Sequence, residues 1–161
     1  MSAQEKPGIC IILFSGDLDK ALSALALAWT AAGQGYEANI FFTFWGIALL
    51  RKERGRARHP LEKLFKWLLP VGPDRLGLSK MNFGGLGGYL MKKLIRLRGT
   101  ETVDELLAMA MERKVRFIAC RGTLEMLGIK ESELLEYDQL TTGDVETFLT
   151  LAEKSRIQLF I

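Results

Sequence analysis

Ile9-Cys10-Ile11-Ile12-Leu13-Phe14 is followed at once by Ser15-Gly16-Asp17 and then by an alanine- and leucine-rich stretch from Leu18 to Ala32, LDKALSALALAWTAA. The first six residues are apolar without alternation and rich in β-branched side chains, the composition of a strand buried on both faces in a parallel sheet. The next three form a turn. The third stretch suits a helix, with Asp17 placed to accept hydrogen bonds from first-turn N–H groups and Gly33 or Gly35 placed to close it. Ala38 to Phe44 (ANIFFTF) supplies a second strand. Strand, helix and strand make a βαβ unit, for which a right-handed crossover is expected.

The remainder extends the same alternation. Trp45 to Arg51 continues apolar, but Ile40 to Leu50 is about half of the ~20 residues a membrane-spanning helix requires, so no transmembrane segment is expected. Residues 52–60 (KERGRARHP) are charged and turn-like, and Leu61 to Leu69 places apolar residues at 61, 64, 65, 68 and 69, a helical spacing. Pro70, Gly72, Pro73 and Gly77 interrupt the chain again. A basic helical excursion at about 51–80 is longer than an ordinary connection, so it is read as a mobile flap or a partner-binding surface. Leu86 to Leu97 and Thr102 to Arg113 read as helices; Thr100 or Thr102 caps the second, with Glu101, Asp104 and Glu105 at its favourable N-terminal end. Val115 to Ala119 reads as a strand ending at Cys120. A short helix over Gly122–Leu127, a longer one over Val145–Lys154 with Thr141 or Thr142 near its start, and a last strand over Ile157–Ile161 complete the chain. The expectation is one α/β domain over residues 1–161, with a mostly parallel sheet of about five strands and helices on both faces.

Composition narrows the function classes. The 161 residues include two cysteines and one histidine, and 48% of them are apolar. A chain of this size buries roughly 70% of its unfolded surface and needs no disulfides or metal to hold a core. Two cysteines are too few for a disulfide-rich secreted scaffold, no Cys/His cluster has zinc-ligand spacing, and the N-terminus lacks the plan of a signal peptide. A cytoplasmic protein with reduced thiols is expected. The net charge of +3 conceals an asymmetry: residues 51–98 hold 13 basic and 3 acidic residues, and the rest holds 9 and 16. Arg51, Lys52, Arg54, Arg56 and Arg58 lie beside the amphipathic segment carrying Phe65 and Trp67. Protein docking fits that arrangement first and an anionic membrane surface second, the latter resting on Trp67 and Lys66; a solvated face would look the same. No nucleic-acid-binding motif accompanies it, and nucleic acid is not expected as a partner.

In an open parallel sheet, ligands gather outside the C-terminal strand ends. That rule selects Ser15-Gly16-Asp17, Thr43 to Trp45, and Cys120-Arg121-Gly122. Among these, only Cys120 is a strong nucleophile; a helix starting at Gly122 and the cation of Arg121 both favour its thiolate, and the alternative reading is a buried small hydrophobe. Cys10, inside the first strand, is assigned to the core. The glycines at 84, 85, 87 and 88 match neither a dinucleotide fingerprint nor a P-loop, so they are read as close helix packing. His59 has no Ser, Cys or carboxylate at a catalytic spacing.

The segments FSGDLDKALSALALA, FFTFWGIALLRK, KMNFGGLGGYLMKKL, IACRGTLEMLGI and VETFLTLAEKSRIQLFI resemble, in the same order, the DsrE/DsrF/DrsH-like family of small sulfur-trafficking proteins, over about residues 8–161. The most distinctive pieces are Phe-Phe-Thr-Phe-Trp-Gly at 41–46 and Asn-Phe-Gly-Gly-Leu-Gly at 82–87. The resemblance implies a DsrE/F-like domain with Rossmann- or flavodoxin-like layering, a homo-oligomer, and a sulfurtransferase or carrier role in which Cys120 holds sulfane sulfur as a persulfide. Arg121, Gly122, Thr123, Ser15, Gly16, Asp17, Thr43 and Trp45 would line its pocket. Rhodanese-like or TusA-like proteins would be the donors and acceptors, and no cofactor is required. Many relatives carry a Met-Ser-Met-like stretch after the cysteine where this chain has Arg121-Gly122-Thr123-Leu124. The other reading is a non-catalytic binding module using residues 51–98.

Overall fold

The computed structural model describes residues 6–57 and 59–161; the reading of the extreme N-terminus and the share of Arg58 in the basic centre fall outside the described residues. In chain order the elements are β1 (Gly8–Leu13), α1 (Leu18–Gly33), β2 (Glu37–Phe42), a 3-10 run (Phe44–Leu50), α2 (Pro60–Leu68), 3-10 turns at Pro73–Arg75 and Phe83–Gly85, α3 (Leu86–Arg98), α4 (Val103–Glu112), β3 (Arg116–Cys120), α5 (Arg121–Leu127), a 3-10 turn at Glu131–Glu133, β4 (Leu140–Gly143), α6 (Val145–Glu153) and β5 (Ser155–Phe160). All five strands are parallel, in the order β4-β3-β2-β1-β5.

Register assigns each side chain to a face. Ile11 pairs with Ile40, and Ile40 with Phe117, so these three share one face with Ile9, Leu13, Phe42 and Ala119. That face packs on Leu18, Ala21, Ala24, Leu25 and Ala28 of α1 and on Leu106, Leu107 and Ala110 of α4, forming the main core. The small alanines let α1 lie close to the sheet. On the opposite face Phe41, Ile118 and Cys120 pack against Phe148 and Leu151 of α6. The central strands are therefore buried on both sides, which is why they read as unbroken apolar runs.

Several local expectations change. β2 stops at Phe42, so Thr43 and Phe44 leave the strand, and β5 begins at Ser155, two residues early. Thr141 and Thr142 lie in β4 rather than at a helix start; Asp144 caps α6 instead, accepting from Thr147 N–H at 2.9 Å. Asp17 makes no side-chain cap to α1: its carboxylate takes the Ser15 hydroxyl, and Leu18 N–H donates to the Gly77 carbonyl at 2.7 Å. Thr102 caps α4 in a reciprocal pair with Glu105, and His59 caps α2 through Nδ1. In the glycine run, Gly84 and Gly85 take left-handed φ of 68° and 102°, while a Cβ on Gly87 would lie 1.8 Å from the Met81 carbonyl. The run makes a tight bend and a close approach.

The excursion is tied to the body by buried charge. Glu133 accepts from Lys66 Nζ at 2.7 Å and from the Lys130 and Gly55 N–H groups at 3.1 and 2.8 Å, and Arg51 Nη2 lies 3.9 Å away. Arg51 is 2% exposed and Lys66 3%. Neither belongs to the basic surface that the sequence suggested. Arg51 Nη1 donates to the Lys66 and Leu69 carbonyls, but Nε and Nη2 have no hydrogen-bond partner.

Asp104, expected to suit the start of α4, sits badly there: desolvation, a hydrogen bond shared with Asp74 and repulsion from Asp74 push its carboxyl up to about 6. The folded chain thus holds a proton that the unfolded chain, at an ordinary 3.8, has released. Stability attributable to this group is full below the unfolded value and falls as pH rises through about 6. Asp104→Asn is expected to match the parent near the acid end of that window and to melt higher above it. The gain is at most about 1 kcal/mol because the group is exposed, and thermal melts at several pH values would measure it.

Candidate active site at the end of β3

Cys120 closes β3 and sits at the N-cap of α5 with an extended backbone, φ −63° and ψ 113°. It is 7% exposed. Its side chain falls on the α6 face of the sheet, at the C-terminal rim of the Phe41–Ile118–Phe148–Leu151 cluster. Beside it, Gly122 has nothing within 4 Å of where a Cβ would stand, so the rim is open there.

Two neighbouring hydroxyls face each other at this rim: Thr43 Oγ1 and Thr123 Oγ1 lie 3.0 Å apart. The Phe44 N–H donates to Thr123 Oγ1 at 3.1 Å. That bond occupies a lone pair of the Thr123 oxygen and leaves its proton to be donated elsewhere. Burial alone would raise the Cys120 thiol, but donation from the Thr123 hydroxyl and N–H, the Thr43 hydroxyl and the Gly122 N–H holds it below its ordinary value. Cys10 has no such donors, and burial pushes its thiol up to about 11.

A strained turn makes this contact. Phe44 adopts φ 43°, a left-handed conformation that costs a bulky residue about 1–3 kcal/mol. It is held from several directions. The Phe44 ring stacks on Phe14 at 4.8 Å, and the Gly46 N–H donates to the Phe14 and Thr43 carbonyls at 3.0 and 2.9 Å. A Cβ on Gly46 would stand 2.1 Å from the Leu13 carbonyl, and one on Gly16 2.6 Å from the Trp45 carbonyl. The loops after β1 and β2 touch backbone to backbone, and the turn presents Thr43 and the Phe44 N–H to Thr123.

The residues selected from sequence divide into two groups. Thr43, Cys120, Gly122 and Thr123 come together. Ser15, Gly16, Asp17 and Trp45 instead line a separate cleft of about 340 Å³ with Phe65, Leu68 and Asn82. Arg121 is exposed, and its charge is felt by Asp144, whose carboxyl is held low first by the Thr147 N–H and hydroxyl and then by Arg121. Sequence reasoning selected the Thr43–Trp45 stretch but missed the left-handed turn at Phe44 within it. The only signal was the glycine two residues after it, which marks a close approach but gives no hint of the left-handed turn.

The site thus sets a cysteine of lowered pKa at the C-terminal rim of an all-parallel α/β sheet. Residues 5–160 match the sequence profile of the DsrE/DsrF/DrsH-like family, and the chain belongs to that family. It is 42% identical over 153 residues to the uncharacterized protein YrkE of Bacillus subtilis (strain 168), covering 94% of each chain. It is 32% identical over 161 residues to the sulfur carrier protein DsrE2 of Allochromatium vinosum, covering 98% of this chain and 99% of that one. The crystal structure of the ychN protein from E. coli shares the fold, with a TM-score of 0.53 and 11% identity over 97% of this chain and 99% of that one.

Proposed function

We propose that the protein is a sulfur carrier that accepts sulfane sulfur on Cys120 as a persulfide and passes it to an acceptor thiol. The observation that carries this reading is the setting of Cys120 at the end of β3, beside the Thr43 and Thr123 hydroxyls 3.0 Å apart and at the start of α5, where its thiol pKa is lowered while burial raises that of Cys10. Similarity to a protein named as a sulfur carrier supports the same reading.

The chemistry needs no change in net oxidation state. The Cys120 thiolate attacks the outer sulfur of a donor persulfide, the donor S–S bond breaks, and the donor leaves as a thiolate. Cys120 now carries the –S–SH group. An acceptor thiolate then attacks that outer sulfur, the new S–S bond breaks, and the Cys120 thiolate returns. The same donors that favour the thiolate before transfer stabilise it as the leaving group afterwards. A rhodanese-like or TusA-like protein would approach across the open rim at Gly122.

Incubation with polysulfide, or with thiosulfate and a rhodanese, followed by intact mass measurement tests this. The expected product is one sulfur atom heavier, reverts on treatment with a small thiol, and carries its extra sulfur in the peptide containing Cys120. A chain that takes up no sulfur under either condition would overturn the carrier reading in favour of a binding module.

A further inference from the structure

The described structure leaves α3 almost unpartnered. Of its thirteen residues only Gly88 is buried. Leu86, Leu90 and Leu97 recur at helical spacing and are 58%, 54% and 74% exposed, with Tyr89 and Leu94 widening the stripe. At 100° per residue, Arg96 and Arg98 fall on its two edges and Lys93 lies within it. From Arg75 to Thr100 the chain holds six basic residues and no acidic one. α2 borders the same region: its Phe65 and Leu68 line the cleft that also touches Asn82, at the approach to α3. Its outer face exposes Leu61, Leu64 and Trp67, and Leu64 and Trp67 line a cleft of about 710 Å³ with Arg54, Arg56 and Lys63.

We propose that the exposed stripe of α3 is a docking surface for an anionic lipid bilayer. Charge selects this occupant. A second copy packed α3 against α3 would bring together two helices that each carry Lys92, Lys93, Arg96 and Arg98 and no carboxylate, so like charge would meet in one interface with nothing on either helix to neutralise it. A dry protein interface would also have to bury Lys93 inside an apolar stripe. At a bilayer the leucines enter the headgroup–acyl boundary, the Lys93 stem follows them while its ammonium returns to the phosphates, and the flanking arginines meet anionic headgroups. A contiguous exposed apolar face rimmed by one sign of charge is otherwise a solubility liability. Lys66, which the sequence offered for such a contact, is sequestered by Glu133 and takes no part. The proposal is independent of Cys120.

Co-sedimentation of the full chain with vesicles of phosphatidylglycerol mixed into phosphatidylcholine, and with phosphatidylcholine alone, tests it. Binding is expected to the anionic vesicles, to weaken with added salt, and to fall about ten-fold or more in Leu90→Gln/Leu97→Gln and in Arg96→Glu/Arg98→Glu. All four positions are exposed, and circular dichroism checks the fold; if the first variant misfolds, the charge reversal decides. Absence of binding to anionic vesicles, or binding that both variants leave intact, would overturn it. So would a chain that ignores vesicles but elutes as a dimer that either variant splits, which would give the face to a second copy.

Discussion

Cys120→Ser is expected to abolish sulfur loading completely, while Cys10→Ala loads as the parent does. The asymmetry follows from the two environments. Cys10 is fully buried within β1, and a thiol pushed up to about 11 offers almost no nucleophile at neutral pH. Cys120 is held below its ordinary value by Thr123, Thr43 and Gly122 despite partial burial. Iodoacetamide should therefore label Cys120 alone at neutral pH, with a rate that reaches its plateau below the ordinary thiol range. Thr123→Val keeps the shape and removes the hydroxyl that donates to sulfur and accepts from Phe44. Labelling at neutral pH should slow about ten-fold, with the pH–rate profile moved upward. An unchanged profile would mean that the hydroxyls do not act on the sulfur, whatever the loading experiment gives.

The largest effect on stability is expected from Glu133→Ala. Among the described residues its carboxylate is the counter-charge of Arg51 and Lys66, which are both buried. Removing one partner of a buried ion pair costs about 3–5 kcal/mol, because the other charges stay desolvated and uncompensated. That is a large share of the roughly 5–15 kcal/mol that holds a domain folded, so loss of folding at moderate temperature is the expected result. Replacing all three with apolar residues of similar size, Arg51→Met, Lys66→Met and Glu133→Leu, should recover most of the loss, and urea titration of both variants would measure it. The parent should also weaken in acid. Burial opposes ionisation of Glu133, but Lys66 and the N–H groups of Lys130 and Gly55 hold its pKa below 4.5. Its stabilisation is present above that value and disappears as pH falls through the lowered one.

The βαβ start, the parallel sheet and the place of Cys120 at a C-terminal strand end were legible in the sequence because each leaves a local trace: unbroken apolar runs, helical periodicity, and a cysteine closing a strand. β4 was not. Leu140-Thr141-Thr142-Gly143 is a short edge strand with one apolar residue, and its identity comes from pairing with Phe117 to Cys120 rather than from its own composition. The same limit applies to the site. Thr43 and Thr123 are 80 residues apart, so nothing local announces that their hydroxyls meet, and Arg121 looked like the thiolate's cation only because it is adjacent in sequence. The buried triad misled in the other direction, since Arg51 and Lys66 inflate a basic surface they do not reach.

The order β4-β3-β2-β1-β5 has a consequence for biosynthesis. Gly8 pairs with Ser155 and Ile12 with Phe160, so one flank of the first strand waits for residues made almost a whole chain later. Until they emerge, the apolar GICIIL segment presents an unsatisfied edge of the kind that recruits other strands. Productive folding of the nascent chain depends on late closure of the sheet. Loss of the final strand should therefore appear first as poor recovery of intact protein from cells, ahead of any change at the cysteine.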